Sequence, residues 1–118
     1  MSNKNILIVD DVYINRILLI EILKKIGNFN IIESHNGKDA LEKIINIDLI
    51  LMDIMMPIMG GIESTQYIRN TLKLNVPIIA VTAYHDYDNE INKTNVFNEI
   101  ITKPISFDDF SEIIKKYL

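Results

Sequence analysis

LILMD, residues 49–53, is a strand-length run of four large apolar side chains closed by one carboxylate, Asp53. A strand with one solvated face alternates apolar and polar residues, whereas an unbroken apolar run fits a strand buried on both faces, as in a parallel sheet covered by helices. Comparable Ile/Val/Leu-rich runs occur at Asn5 to Val9, Asn30 to Glu33, Pro77 to Val81 and Glu99 to Thr102, giving five predicted strands. Between them the pattern changes to a helical one. Tyr13 to Ile26 places Ile14, Ile17, Leu18, Ile22 and Ile26 at helical spacing and is followed by Gly27 as a stop. Gly37 to Ile45 carries Ala40, Leu41, Ile44 and Ile45, so Asn36-Gly37, by itself a hairpin signal, reads as a helix entry. Gly61 to Leu72 and roughly Tyr87 to Asn95 are weaker helical stretches. Ser106-Phe107-Asp108-Asp109 is a capping box that opens a last helix running to about Tyr117.

Strand then helix, five times over and without a Gly/Ser-rich break, implies one three-layer α/β domain over residues 1–118. A chain of 118 residues with 48% hydrophobic and 24% charged side chains can build a real core. There is no cysteine, which excludes a disulfide framework and a thiolate metal site and fits a reducing cytoplasm. The apolar runs are interrupted far short of the about 20 residues a membrane span needs. Met1-Ser2-Asn3-Lys4 lacks the apolar core of a signal peptide, so a cytoplasmic protein without a membrane segment is expected. A net charge of -4 argues against direct nucleic-acid binding, and Lys24-Lys25 and Lys115-Lys116 lie near helix ends where the dipole favours cations.

Ligands of open α/β sheets bind beyond the carboxyl ends of the strands. There the first run is followed by Asp10-Asp11, the third by Asp53, the fourth by Thr82 and the fifth by Lys103-Pro104. If the first and third strands are neighbours, Asp10, Asp11 and Asp53 converge. Two unit charges about 5 Å apart at an effective dielectric of about 20 repel by roughly 3 kcal/mol, so three pairs would reach roughly 10 kcal/mol, comparable with the stability of a whole domain. Lys103 supplies one compensating charge. A hard divalent cation with oxygen ligands fits better, and Mg²⁺ uses one or two carboxylates plus water and phosphate oxygens. Taken singly, Asp10-Asp11 reads as readily as a helix N-cap, Thr82 as a strand residue and Lys103 as a surface lysine. Asp53 is too far upstream of the next helix to cap it. The Met55-Met56-Pro57-Ile58-Met59 loop reads as apolar filler, and His35 and His85 as loop residues without a ligand role.

Val9-Asp10-Asp11, Met52-Asp53-Ile54-Met55-Met56-Pro57, Val81-Thr82-Ala83 and Thr102-Lys103-Pro104 occur in an order and spacing that resemble the receiver domain of two-component response regulators over essentially the whole chain. The resemblance implies a flavodoxin-like (βα)5 sandwich with strand order 2-1-3-4-5, which periodicity alone does not set. It implies that Asp53 is a phosphoacceptor, taking the phosphoryl group from a phosphohistidine of a sensor histidine kinase or a histidine phosphotransfer protein. Asp11, Asp53 and the backbone carbonyl of Met55 would ligate Mg²⁺, with Asp10 acting mainly through a metal-bound water. Thr82 and Lys103 would contact phosphoryl oxygens. Catalysis would be confined to the domain's own phosphorylation and dephosphorylation. Downstream partners would meet the face of helix 4, strand 5 and helix 5, with Phe97, Ile100, Phe107 and Phe110 on or beneath it, in a monomer or a phosphorylation-dependent dimer.

The sequence departs from the family pattern at several points. Ile100 stands where the family carries a switch aromatic. Gly60 takes an often acidic position, and its backbone freedom is expected to loosen the loop. The bulky pair Met55 and Tyr84 is expected to shield the acyl phosphate from water. Competing readings are a degenerate receiver acting as a binding scaffold, a flavodoxin-like cofactor-binding protein and a Mg²⁺-dependent aspartyl phosphatase. The second would want phosphate donors where Asp11-Val12-Tyr13-Ile14-Asn15 offers an anion, and the third an alternating acidic pair that Asp10-Asp11-Val12-Tyr13 lacks. No output domain is expected. A stand-alone regulator and a domain of a hybrid sensor histidine kinase or longer regulator both fit, and Pro77 to Ala83 looks similar to hybrid-kinase receivers.

Overall fold

Described over residues 3–83 and 88–118 in a computed structural model, the chain alternates strand and helix. The elements are β1 (Lys4–Val9), α1 (Tyr13–Ile26), β2 (Phe29–Ser34), α2 (Gly37–Glu42), β3 (Leu49–Asp53), α3 (Gly61–Asn70), β4 (Ile78–Thr82), α4 (Asp88–Thr94), β5 (Glu99–Thr102) and α5 (Phe107–Tyr117). Tyr84, His85 and Tyr87 lie outside the described residues. All five strands join one parallel sheet in the order β2-β1-β3-β4-β5.

The unbroken apolar runs are explained by the two faces they serve. Ile6, Ile8, Leu49, Leu51, Ile79 and Val81 point to one side, where Leu19 and Leu23 of α1 and Phe110 and Ile114 of α5 complete a buried cluster. Leu7, Val9, Ile50, Met52 and Ile78 point to the other, under Ala40 of α2 and Ile68 of α3. Ala80 continues that side beneath Ile54 and Ile91 of α4.

Helix faces and ends depart from the periodic reading in three places. In α1 the stripe drawn through Ile14 and Leu18 is wrong, since both are more than half exposed and the core side chains are Leu19 and Leu23. The segment YINRILLIEILKKI is apolar nearly all round, so several stripes fit its spacing and contact with the sheet selects one. Helix α2 stops at Glu42, leaving Ile44 and Ile45 outside it; Asn46 follows in the left-handed region at φ 62 and Ile45 is 78% exposed. Helices α3 and α4 end at Asn70 and Thr94, short of Leu72 and Asn95, and Lys73 and Asn95 again take left-handed backbone.

The predicted caps form in part. Asn36 accepts the Asp39 N–H at 2.7 Å, confirming a helix entry at Asn36-Gly37 and no hairpin. Ser106 Oγ accepts the Asp109 N–H at 3.4 Å, which is only the first half of the capping box. At the amino edge of the sheet, Arg69 of α3 donates to the carbonyls of Val96, Leu74 and Val76 and to Asn98 Oδ1, tying the α3–β4 and α4–β5 connections together.

A candidate carboxylate site at the carboxyl edge of the sheet

Strand register brings the candidate side chains to one edge. Val9 pairs with Met52, so Asp10 and Asp53 occupy the next step; Asp53 pairs with Val81, and Thr82 with Thr102, so Thr82 and Lys103 follow on the same edge. One carboxylate oxygen from each of Asp10, Asp11 and Asp53 lies within 4.8 Å of the others. Asp10 is buried, Asp53 half-buried and Asp11 exposed. Lys103 Nζ stands 3.5 Å from Asp10 Oδ2, and Thr82 is buried with its carbonyl accepting the Lys103 N–H at 2.8 Å. The Lys103-Pro104 peptide bond is cis.

Asp10 is tightly held. Its N–H donates to the Ser34 carbonyl of β2, Oδ1 accepts the Val12 N–H at 2.9 Å, and its own carbonyl accepts Arg16 Nη1 at 2.7 Å. The N-cap reading of Asp10-Asp11 is not what the structure has: Val12 is the N-cap of α1 and no side chain caps that end. Asp53 Oδ1 accepts the N–H of Ile54. Burial, and next the neighbouring Asp10 with a smaller push from Asp11, raises the Asp53 carboxyl to about 7, while Lys103 and the Ile54 N–H pull it down. A carboxyl so perturbed among oxygen acceptors and one ammonium suits a site that receives added positive charge or a phosphate-like group.

The loop after Asp53 differs from its reading as filler. Met56 packs against the β1–β3 core, but Met55 is 48% and Ile58 78% exposed. Gly60 has an ordinary φ of -76, so the extra freedom expected of it is not used. Ile58 instead takes φ 71, a region β-branched residues enter at a cost of roughly 1–2 kcal/mol. Ile58→Asn should therefore stabilise the chain by about 1 kcal/mol in urea unfolding, and an unchanged midpoint would refute that strain. His35 contacts Asp39, not the carboxylate cluster, and Tyr84 and His85 lie outside the described residues. Arg16 carries no weight in the sequence reading. The available signal is a cation in the first turn of α1, where the helix dipole disfavours it and no acid accompanies it.

The family model of the response regulator receiver domain matches residues 6–115. The polar-differentiation response regulator DivK of Brucella anthropi is 36% identical over 119 residues, covering 98% of this chain and 96% of DivK. Sporulation initiation phosphotransferase F of Bacillus subtilis is 35% identical over 122 residues, covering 100% of this chain and 96% of that protein. The crystal structure of response regulator TrrA from Thermotoga maritima, in complex with Mg²⁺-BeF, superposes with a TM-score of 0.88 at 38% identity, covering 98% of this chain and 99% of TrrA.

Proposed function

The chain belongs to the response regulator receiver domain family, and from that premise we propose that Asp53 accepts a phosphoryl group from a phosphohistidine of a sensor histidine kinase or a histidine phosphotransfer protein. The observation that carries the reading is the cluster of Asp10, Asp11 and Asp53 within 4.8 Å, beside Lys103. A carboxylate oxygen of Asp53 attacks phosphorus in line; the new O–P bond forms as the P–N bond breaks, and its electron pair stays on the imidazole nitrogen. Lys103 and the Thr82 hydroxyl take up charge on the equatorial oxygens. The acyl phosphate can be hydrolysed, so the signal reverses.

The residues fit Mg²⁺, since the three carboxylates form a hard oxygen set, and Asp10, Asp11, Asp53 and the Met55 carbonyl would hold it. The Mg²⁺-BeF complex of TrrA supports Mg²⁺ as the metal. When bound, the metal supplies electrostatic stabilisation of the transferring phosphoryl oxygens. A phosphoryl group adds a charge of about -1.5 to -2 beside Thr82 and Lys103, drawing both toward it. The face of α4, β5 and α5 would then change its affinity for a downstream protein. That face holds a groove of about 300 Å³ lined by Asn92, Phe97, Asn98, Glu99, Ile100 and Thr102. Phe107 is exposed on α5, whereas Phe110 is wholly core. No described helix is long and apolar enough to cross a membrane.

Incubation with acetyl phosphate and intact-mass measurement tests the reading. One phosphoryl adduct is expected with Mg²⁺ and none with chelator; no adduct in either condition would overturn it in favour of a binding scaffold.

A further inference from the structure

We propose that Arg16, braced by Glu33, is a positioning residue that sets the Mg²⁺ affinity of the site by fixing the Asp10-Asp11 segment. The inference rests on the reading of those carboxylates as metal ligands. Arg16 Nη1 donates to the Asp10 carbonyl at 2.7 Å and Arg16 Nε to Glu33 Oε1 at 2.9 Å. Glu33 precedes Ser34, whose carbonyl accepts the Asp10 N–H at 3.0 Å. The four residues therefore close a ring, Asp10 to Arg16 to Glu33 to Ser34 and back, that clamps both peptide groups of Asp10. Glu33 is itself anchored, its carbonyl accepting Lys43 Nζ at 2.6 Å.

Two features separate this contact from an ordinary surface ion pair. The Arg16 side chain is only 14% exposed, so its charge-assisted bond to the Asp10 carbonyl is little screened by solvent, while the partner Glu33 side chain is 39% exposed. It also sits in the first turn of α1, where the dipole opposes a cation and the helix itself supplies no acidic side chain, so its counter-charge comes from Glu33 of β2. A helix that only needed stability would place an acid there. The guanidinium contacts a ligand's backbone and no carboxylate of the cluster, so it acts through the position of Asp10 and Asp11. Supporting contacts of this kind change metal affinity by about 10- to 100-fold when removed. A lysine keeps the charge but lacks the planar fork that reaches Glu33 and the Asp10 carbonyl together.

Isothermal titration of Mg²⁺ into the full chain, with thermal melting of the metal-free protein alongside, tests this. Arg16→Lys should raise the Mg²⁺ Kd about tenfold, and Glu33→Gln severalfold. The double variant should bind about as weakly as Arg16→Lys alone, because both changes act on one ring. At saturating Mg²⁺ the rate of phosphorylation by acetyl phosphate should stay within about twofold of wild type, the split expected of a residue that positions a ligand. Arg16→Lys and Glu33→Gln both binding Mg²⁺ within about twofold of wild type, whatever their melting temperatures, would overturn the inference. A wild-type chain that binds no Mg²⁺ would instead overturn the reading of the site and this inference with it.

Discussion

Asp53→Asn is expected to abolish the acetyl phosphate adduct while raising the melting temperature in Mg²⁺-free buffer at pH 8. The amide keeps the shape of the carboxylate, and its oxygen can still accept the Ile54 N–H, but it is no nucleophile. It also removes one member of a mutually repelling cluster. The Asp53 carboxyl is raised from 3.8 to about 7, chiefly by burial and then by Asp10. The folded protein thus holds a proton that the unfolded chain releases more readily. The ionised carboxylate destabilises the fold fully above pH 7, and that penalty fades as pH falls from about 7 toward 3.8. After allowance for solvent at a half-exposed group, the gain in Asp53→Asn at pH 8 is roughly 1–3 kcal/mol. A domain of this size gains about 4 °C per kcal/mol. At pH 5 about a third of the difference should remain. Added Mg²⁺ should raise the wild-type melting temperature more than that of the variant. A variant that melts no higher than wild type at pH 8 would refute the electrostatic account, and a surviving adduct would refute Asp53 as acceptor.

What the sequence disclosed follows from how local each signal is. The central strands were legible because Ile6 to Val9, Leu49 to Met52 and Ile78 to Val81 are buried on both faces, and an unbroken apolar run has few other uses. Their order was not legible from periodicity, since pairing β3 with β1 and β4 joins segments far apart in the chain; it came from the resemblance. The stripe on α1 was misplaced because a helix apolar on most sides leaves the choice to its neighbours. The overlong α2 followed from Ile44 and Ile45, which extend the apolar pattern past the helix, while backbone dihedrals near Asn46 turn the chain. Asp10, Asp11 and Asp53 could be grouped because strand ends in one parallel sheet share an edge. Arg16 could not, because its reach to the Asp10 carbonyl depends on a side-chain path that spacing does not encode.

Gly61→Ala should cost about 2–4 kcal/mol, lowering the melting temperature by roughly 8–16 °C, although helix propensity predicts the opposite sign. Alanine is favoured over glycine in a helix by up to about 1 kcal/mol, and it also lowers the entropy of the unfolded chain. A Cβ at Gly61, however, would lie 2.0 Å from the Asp53 carbonyl oxygen and 3.0 Å from the Asp53 carbonyl carbon and Met52 Cγ. The obstacle is backbone, so no rotamer change relieves it. Either α3 backs away from β3 or the Asp53 peptide tilts. Backing away strains the Ser64 Oγ bond to the Gly37 carbonyl that holds α2 against α3, and tilting moves the carboxylate out of register with Asp10. Gly60→Ala is the control: its Cβ would meet only the Ile54 carbonyl oxygen at 3.1 Å, at an ordinary φ, so a change within about 1 kcal/mol is expected. Tilting would also reduce the stabilisation by Mg²⁺, which a thermal melt with and without the metal reads separately from the loss of packing. If Gly61→Ala melts within about 2 °C of wild type, β3 and α3 are not held by this close approach and the height of Asp53 on the edge is set elsewhere.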